Sequence, residues 1–151
     1  MNYWLMKSEP DVFSIDDLAR VQIEPWDGVR NYQARNMLRD QMQLGDQVFF
    51  YHSNCDLPGI VGIAEVCRTA YPDLSALNPE SKYFDPKATP ENPRWVCVDV
   101  KFVRKLPKTI SLQRLKTYEA LNGWALIAKG NRLSVMPVSA PQWDAILAIA
   151  S

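Results

Sequence analysis

Two strand-like runs separated by a tight turn restrict the fold of this chain more than any other feature. "DQVFFYHS" (46–53) and "GIVGIAEVCRTA" (59–70) are rich in β-branched and aromatic residues, and Pro58-Gly59 lies in the turn between them. They predict an antiparallel pair, and Gly62 inside the second run marks a bulge or a close backbone approach. A further run, "WVCVDVKFV" (95–103), alternates, with Val96, Val98, Val100 and Phe102 inward and Cys97, Asp99 and Lys101 outward. "YWLM" (3–6) is apolar on both faces and reads as a central strand that runs into the polar "KSEP", where Pro10 ends it. "RLSVMPV" (132–138) supplies a last strand.

Helices fall between these runs. Ser14 followed by Asp17 resembles a capping box, so "SIDDLA" predicts a short helix, followed by a loop to Pro25. Asn31 stands where an N-cap belongs; Ala34, Leu38 and Met42 share one helical face with Met37 beside them, and Gly45 offers a C-terminal stop. Residues 111–122 predict one or two short helices. Ser139 and Gln142 form a second capping box, and Trp143, Ile146, Leu147 and Ala150 make a terminal amphipathic helix. Between 71 and 94, Pro72, Pro79, Pro86, Pro90 and Pro93 exclude a regular element, yet Tyr83 and Phe84 point to an ordered loop, a common seat of function. The class is α+β in one domain, residues 1–151: a strongly bent mixed sheet or small β-barrel with peripheral helices.

Composition excludes several functions. A hydrophobic fraction of 47% with no long apolar run predicts a soluble chain that does not enter a membrane. The N-terminus carries no basic leader, and Cys55, Cys67 and Cys97 are odd in number and far apart, so reduced thiols in the cytoplasm, nucleoid or nucleus are expected. One histidine and no closely spaced cysteine pair leave no zinc site. Net charge is zero, but residues 101–132 hold eight Lys or Arg against Glu119 alone, giving +7 there and −7 elsewhere. That asymmetry fits a polyanion-facing surface, or an ordinary solvated basic face.

Enzyme chemistry finds little support. His52 and Ser53 are neighbours on a strand and point to opposite faces, so they do not form a base–nucleophile pair. The glycines form no phosphate-binding loop, and Asp16 and Asp17 sit in a first helical turn, where the helix dipole explains them. No catalytic residue and no cofactor is expected.

The stretches "YWLMKSEP", "WDGVRNYQARN", "GDQVFFYHSN", "PGIVGIAEV", "YPD", "YFDPKAT", "RWVCVDVKF" and "RLSVMPV", in this order and over nearly the whole chain, resemble the EVE domain family. The resemblance implies a PUA-like fold and a non-enzymatic partner role: binding DNA or RNA that carries a modified base, with modified cytosine in DNA ahead of methylated adenine in RNA. A generic RNA-binding PUA-like module and an enzyme acting on a nucleotide-like small molecule are the alternatives. A monomer is expected, since no heptads or long exposed apolar stretch is evident.

Reading one modified base requires taking it from the stack, holding its face against an aromatic wall and bonding its edge. On the resemblance, Trp26 is the stacking wall, with a plain core role as its competitor. Asn31 and Tyr32 supply edge bonds or a second wall, although Asn31 also reads as a simple N-cap. Arg30, beside a helix N-terminus, either meets a phosphate or is a solvated arginine. Lys7, Ser8, Glu9, Ser53 and Asn54 surround the same cavity, with Glu9 accepting from an exocyclic amine; Tyr83 and Asp85 close it. Trp95 is a further wall or packing, and Trp4, Trp124 and Trp143 are core.

Overall fold

The computed structural model describes residues 1–128 and 133–150. In chain order the elements are β1 (Tyr3–Ser8), α1 (Ile15–Val21), β2 (Ile23–Pro25), α2 (Tyr32–Asp40), β3 (Gln47–His52), β4 (Gly59–Pro72), β5 (Val96–Ser111), α3 (Leu112–Leu115), β6 (Val135–Val138) and α4 (Ala140–Ala150). Short 3-10 turns cover Leu74–Leu77, Glu119–Leu121 and Ala125–Ile127. The strands form one curved mixed sheet in the order β2-β5-β4-β3-β1-β6. It stays open: β2 and β6 are its edges, so the barrel alternative is not realised.

Strands β1 and β3, and β4 as far as Ala64, are buried on both faces, and their side chains divide by parity. Trp4 and Met6 of β1, and Val48 and Phe50 of β3, enter one core cluster with α1 and α2. Leu5, Phe49 and Tyr51 enter the other, with Trp124, Trp143 and Ile146. Trp4, Trp124 and Trp143 are core, as expected. In β4, Val61 and Ile63 lie two apart yet belong to opposite clusters. The expected irregularity at Gly62 explains this: the β4–β5 register shifts between Ile60 and Gly62, which reverses the alternation. Gly62 also allows close approach, because a Cβ there would stand 2.5 Å from Cδ1 of Ile15 at the start of α1.

All three predicted caps form. Ser14 and Asp17 make the reciprocal capping box of α1, and Asn31 Oδ1 accepts from the Ala34 amide at 3.0 Å. Ser139 and Gln142 bond reciprocally ahead of α4. The pairing of β3 with β4 is antiparallel, as expected.

Several expectations need correction. Gly45 does not stop α2, which ends at Asp40. The turn beyond it is organised by the buried Asp46, whose carboxylate accepts from the amides of Asn2 and Gln43 and from Trp4 Nε1. The loop to Pro25 contains β2, too short and polar to show a period, which pairs with β5 at Lys101, Val100 and Asp99. Strand β5 runs on to Ser111, past Val103, with Leu106 and Ile110 reaching the second cluster. Cys97 is buried rather than outward, because Tyr71, Asp73 and Asp27 come over that face. Burial pushes its thiol up to about 11, and the carboxylates of Asp73, Asp27 and Asp99 add to the shift. Of the last predicted strand, Arg132 lies outside the described residues.

Candidate functional site

Strands β1 and β3 are parallel, with Ser8 opposite His52, so the chain leaves both at one end of the sheet. Lys7, Ser8 and Glu9 from the first, and Ser53 and Asn54 from the second, line a cleft of about 970 Å³ there. This lies at the upper end of the range for small-molecule sites, roughly 300–1,000 Å³. The floor is bonded together: the Ser53 amide donates to Ser8 O at 3.0 Å, Ser8 Oγ to Phe13 O at 2.5 Å, and Asn54 Nδ2 to Glu9 Oε1 at 3.0 Å.

The opposite wall comes from the segment after β2. Trp26 donates its amide to Val98 O at 2.7 Å and meets Phe50 edge-on, ring centroids 5.4 Å apart. It is 8% exposed, belongs to the first core cluster and also lines the cleft, so core residue and wall are one side chain. Beyond it, Gly28 has φ +80° and faces the ring of Tyr83, which lines the cleft from the proline-rich loop.

Arg30 fastens that loop. Its Nε and Nη2 donate to Tyr83 O at 3.0 and 2.8 Å, Nη1 to Val29 O at 2.9 Å and Asp73 Oδ2 at 3.0 Å, and Nη2 to Ser75 Oγ at 3.2 Å. All five N–H donors of the guanidinium are thereby engaged. Asp73, buried and unforeseen from the sequence, is the hub: it also accepts from the Gly28 amide at 2.8 Å and from Ser75. Burial works against its ionisation, but bonds from Ser75, Gly28 and Arg30 hold its carboxyl below the ordinary value.

Arg30, Asn31, Tyr32 and Asp85 do not line the cleft. Asn31 caps α2. Tyr32 is exposed and stacks on Trp95, centroids 4.7 Å apart, under the guanidinium groups of Arg35 and Arg94. Asp85 accepts from Trp95 Nε1 at 2.7 Å and pairs with Arg94. These residues form a second aromatic–arginine cluster behind the Tyr83 loop.

The cleft contains two acids that sequence reasoning passed over, Glu24 and Asp27. Their signal was adjacency: both flank Trp26 within "EPWDG". Burial raises the pKa of each, helped for Glu24 by Asp27 and for Asp27 by Asp73. Lys7 has no carboxylate within 4.0 Å of its ammonium among the described residues, and burial lowers its pKa. His52 Nε2 accepts from the Ile15 amide at 3.1 Å, a structural role at the start of α1. The basic residues Lys101, Arg104, Lys105, Lys108, Arg114 and Lys116 are exposed, with Lys101 paired to Glu65 and Lys105 to Asp16; Lys129 and Arg132 lie outside the described residues. Among the described residues no helix is long and apolar enough to cross a membrane.

An open mixed sheet whose central strands are buried on both faces, with peripheral helices and a cleft at the converging strand ends, defines a PUA-like α+β domain. The family model for the EVE domain matches residues 2–149, and the chain belongs to the EVE domain family. Thymocyte nuclear protein 1 of Mus musculus is 44% identical over 167 residues, spanning 98% of this chain and 73% of that protein. A crystal structure of a Pseudomonas putida protein matches with TM-score 0.96 and 55% identity over 99% of both chains. The human THYN1 protein, in complex with 5-methylcytosine containing DNA, matches with TM-score 0.95 and 40% identity over 100% of this chain and 98% of that one.

Proposed function

We propose that this chain is a non-enzymatic nucleic-acid-binding domain that takes a modified base, a modified cytosine in DNA above all, into the cleft between Trp26 and Tyr83. The cleft carries this reading, because it combines aromatic walls with polar groups at converging strand ends. A base extruded from the stack gains roughly 1–3 kcal/mol from aromatic stacking, and its edge finds Ser8, Glu9, Ser53 and Asn54 for hydrogen bonds. The complex of the human relative with 5-methylcytosine containing DNA supports the same partner here. Exposed lysines and arginines of β5 and α3 track the backbone, which makes affinity fall with salt.

In this reading Arg30, Asn31 and Asp85 act through position rather than contact. Arg30 holds the Tyr83 loop, Asn31 starts the helix that follows the wall, and Asp85 braces Trp95. Fluorescence anisotropy with matched oligonucleotides bearing cytosine, methylcytosine, hydroxymethylcytosine or methylated adenine tests the proposal. A preference for one modified base supports it. Equal affinity for plain and modified strands makes the chain a generic nucleic-acid grip, and product formation abolished by His52→Ala makes it an enzyme.

A further inference from the structure

The cleft is unusual for a polyanion-binding protein in that its lining includes three carboxylates, Glu9, Glu24 and Asp27. Glu9 is exposed and accepts from Asn54. Glu24 belongs to the edge strand β2. Asp27 stands between the two wall-forming positions: Trp26 precedes it, and Gly28, pinned by its bond to Asp73 and by the Tyr83 ring, follows it. The backbone carrying its carboxyl is therefore fixed on both sides, which is what an edge-reading group needs.

No cation within 4.0 Å neutralises Asp27 among the described residues. Of the two cations that act on it, Arg30 has every donor engaged elsewhere and Lys82 lines the cleft from the Tyr83 loop. The charged and titratable groups around Asp27 are Asp73, Arg30 and Lys82, with Glu24 and the Cys97 thiol also within electrostatic reach. Asp27 is exposed at the cleft; partial desolvation there and the Asp73 charge disfavour its carboxylate, and its own backbone amide, Arg30 and Lys82 do not fully offset them. A phosphate has no place beside such a group; a base edge that offers a donor next to an acceptor does.

We infer that Asp27 reads the Watson–Crick edge of a cytosine-type base, one carboxyl oxygen accepting from the exocyclic 4-amino group while a single proton bridges the other oxygen and N3. A protonated carboxyl donates one hydrogen bond and accepts others, so it matches the acceptor–donor pair on that edge; a bare carboxylate leaves two acceptors facing each other at N3. Thymine puts a carbonyl where cytosine has the amine, and loses the match unless the proton moves to the other oxygen. The inference rests on the base-reading proposal above and adds to it a residue, a chemical edge and a proton.

The proton makes the idea testable. Binding of a DNA oligonucleotide carrying one methylcytosine takes up a proton wherever free Asp27 is ionised, so affinity falls with rising pH by up to about tenfold per pH unit. Asparagine presents a carbonyl and an N–H in the same places as the neutral acid. Asp27→Asn is therefore expected to keep methylcytosine binding while flattening the pH profile, and Asp27→Ala to lose roughly 5- to 150-fold. Circular dichroism of each variant separates lost binding from lost fold.

A slope that survives in Asp27→Asn belongs to another group and overturns the inference, as does an Asp27→Asn protein that is folded yet no longer binds. If the unmutated chain prefers methylcytosine and loses that preference in Trp26→Ala, but is indifferent to Asp27→Ala, base reading stands and the role of Asp27 falls. No binding by the unmutated chain at any pH removes both.

Discussion

The ring of Tyr83 lies on the bare Cα of Gly28: a Cβ built there would stand 2.6 Å from Cζ and 2.7 Å from both Cε atoms. Two chain segments far apart in sequence thus meet only because position 28 has no side chain. Its φ of +80° adds a second reason, since an L-residue in the left-handed region costs about 1–2 kcal/mol. Gly28→Ala is expected to lower stability by at least that amount and to swing Tyr83 off the cleft. Urea denaturation and methylcytosine binding, measured together, check this; an alanine variant with unchanged affinity would show that Tyr83 is no part of the pocket.

Asp73 and Arg30 hold the same junction from behind. The carboxylate is 1% exposed and its partner's side chain 23% exposed, so Asp73→Ala leaves a guanidinium and the Gly28 amide without their acceptor. Removing one member of such a pair costs about 3–5 kcal/mol, towards the lower figure here because Arg30 reaches solvent. The folded-state pKa of Asp73 lies below its unfolded value of about 3.9, so this contribution is present above that pH and disappears as pH falls through the folded-state value. Acid titration of the unfolding free energy is expected to show a step in the unmutated chain that Asp73→Asn lacks.

How legible these features were depended on their range. The capping box of Ser14 and Asp17, the Asn31 cap and the bulge at Gly62 are written within a few residues, and each formed as expected. The edge contact of Trp26 with Phe50 and the wall it presents were half legible, because a tryptophan beside a glycine signals either use. The parallel pairing of β1 with β3 spans a crossover with two helices, and no local pattern encodes it. Arg30 illustrates the limit: its sequence position suggested a free cation, while its five hydrogen bonds include those to Asp73, Ser75 and Tyr83, distant residues that only the folded loop delivers. Cys97 followed the alternation rule in sequence and broke it in space, since the residues that cover it arrive from another part of the chain.

His52 links the stability of α1 to pH. Its Nε2 accepts from the Ile15 amide, which only the unprotonated nitrogen can do. Burial lowers its pKa; Asp16 opposes and Lys105 reinforces that shift. The folded state thus binds a proton less readily than the unfolded chain, whose histidine titrates near about 6.5. Stability is full above that value and declines as pH falls below it, until the folded-state pKa is reached. Chemical denaturation across this window is expected to show the decline in the unmutated chain and none in His52→Gln.

Two cations line the cleft, the exposed Lys82 and the half-buried Lys7, which stands at the end of β1. Lys7 lies 5.8 Å from the Tyr51 ring centroid and has no carboxylate within 4.0 Å among the described residues. Placed beside an extruded nucleotide, it meets a phosphate rather than a base edge. Lys7→Gln is expected to weaken binding of plain and modified strands alike and to reduce the slope of log affinity against log salt by about 1. A change in the ratio of modified to plain affinity, with the salt slope intact, would move Lys7 from the backbone to the base.

Trp26 requires the most careful separation of fold from function, because it serves both. Removing a buried tryptophan costs about 3–5 kcal/mol in a core, enough to unfold a marginal domain and to imitate loss of binding. Trp26→Phe keeps an aromatic face and the edge contact with Phe50 while shortening the wall, so it separates the two effects. If the wall stacks on the base, the phenylalanine variant stays folded, loses part of the roughly 1–3 kcal/mol that stacking contributes, and loses it for the modified strand in particular. Trp26→Ala, assayed at a temperature where circular dichroism shows it folded, loses the remainder and with it the preference between methylcytosine and cytosine. A folded alanine variant that binds both strands as tightly as the unmutated chain leaves Trp26 with a packing role only, and the base must then be sought elsewhere on the surface.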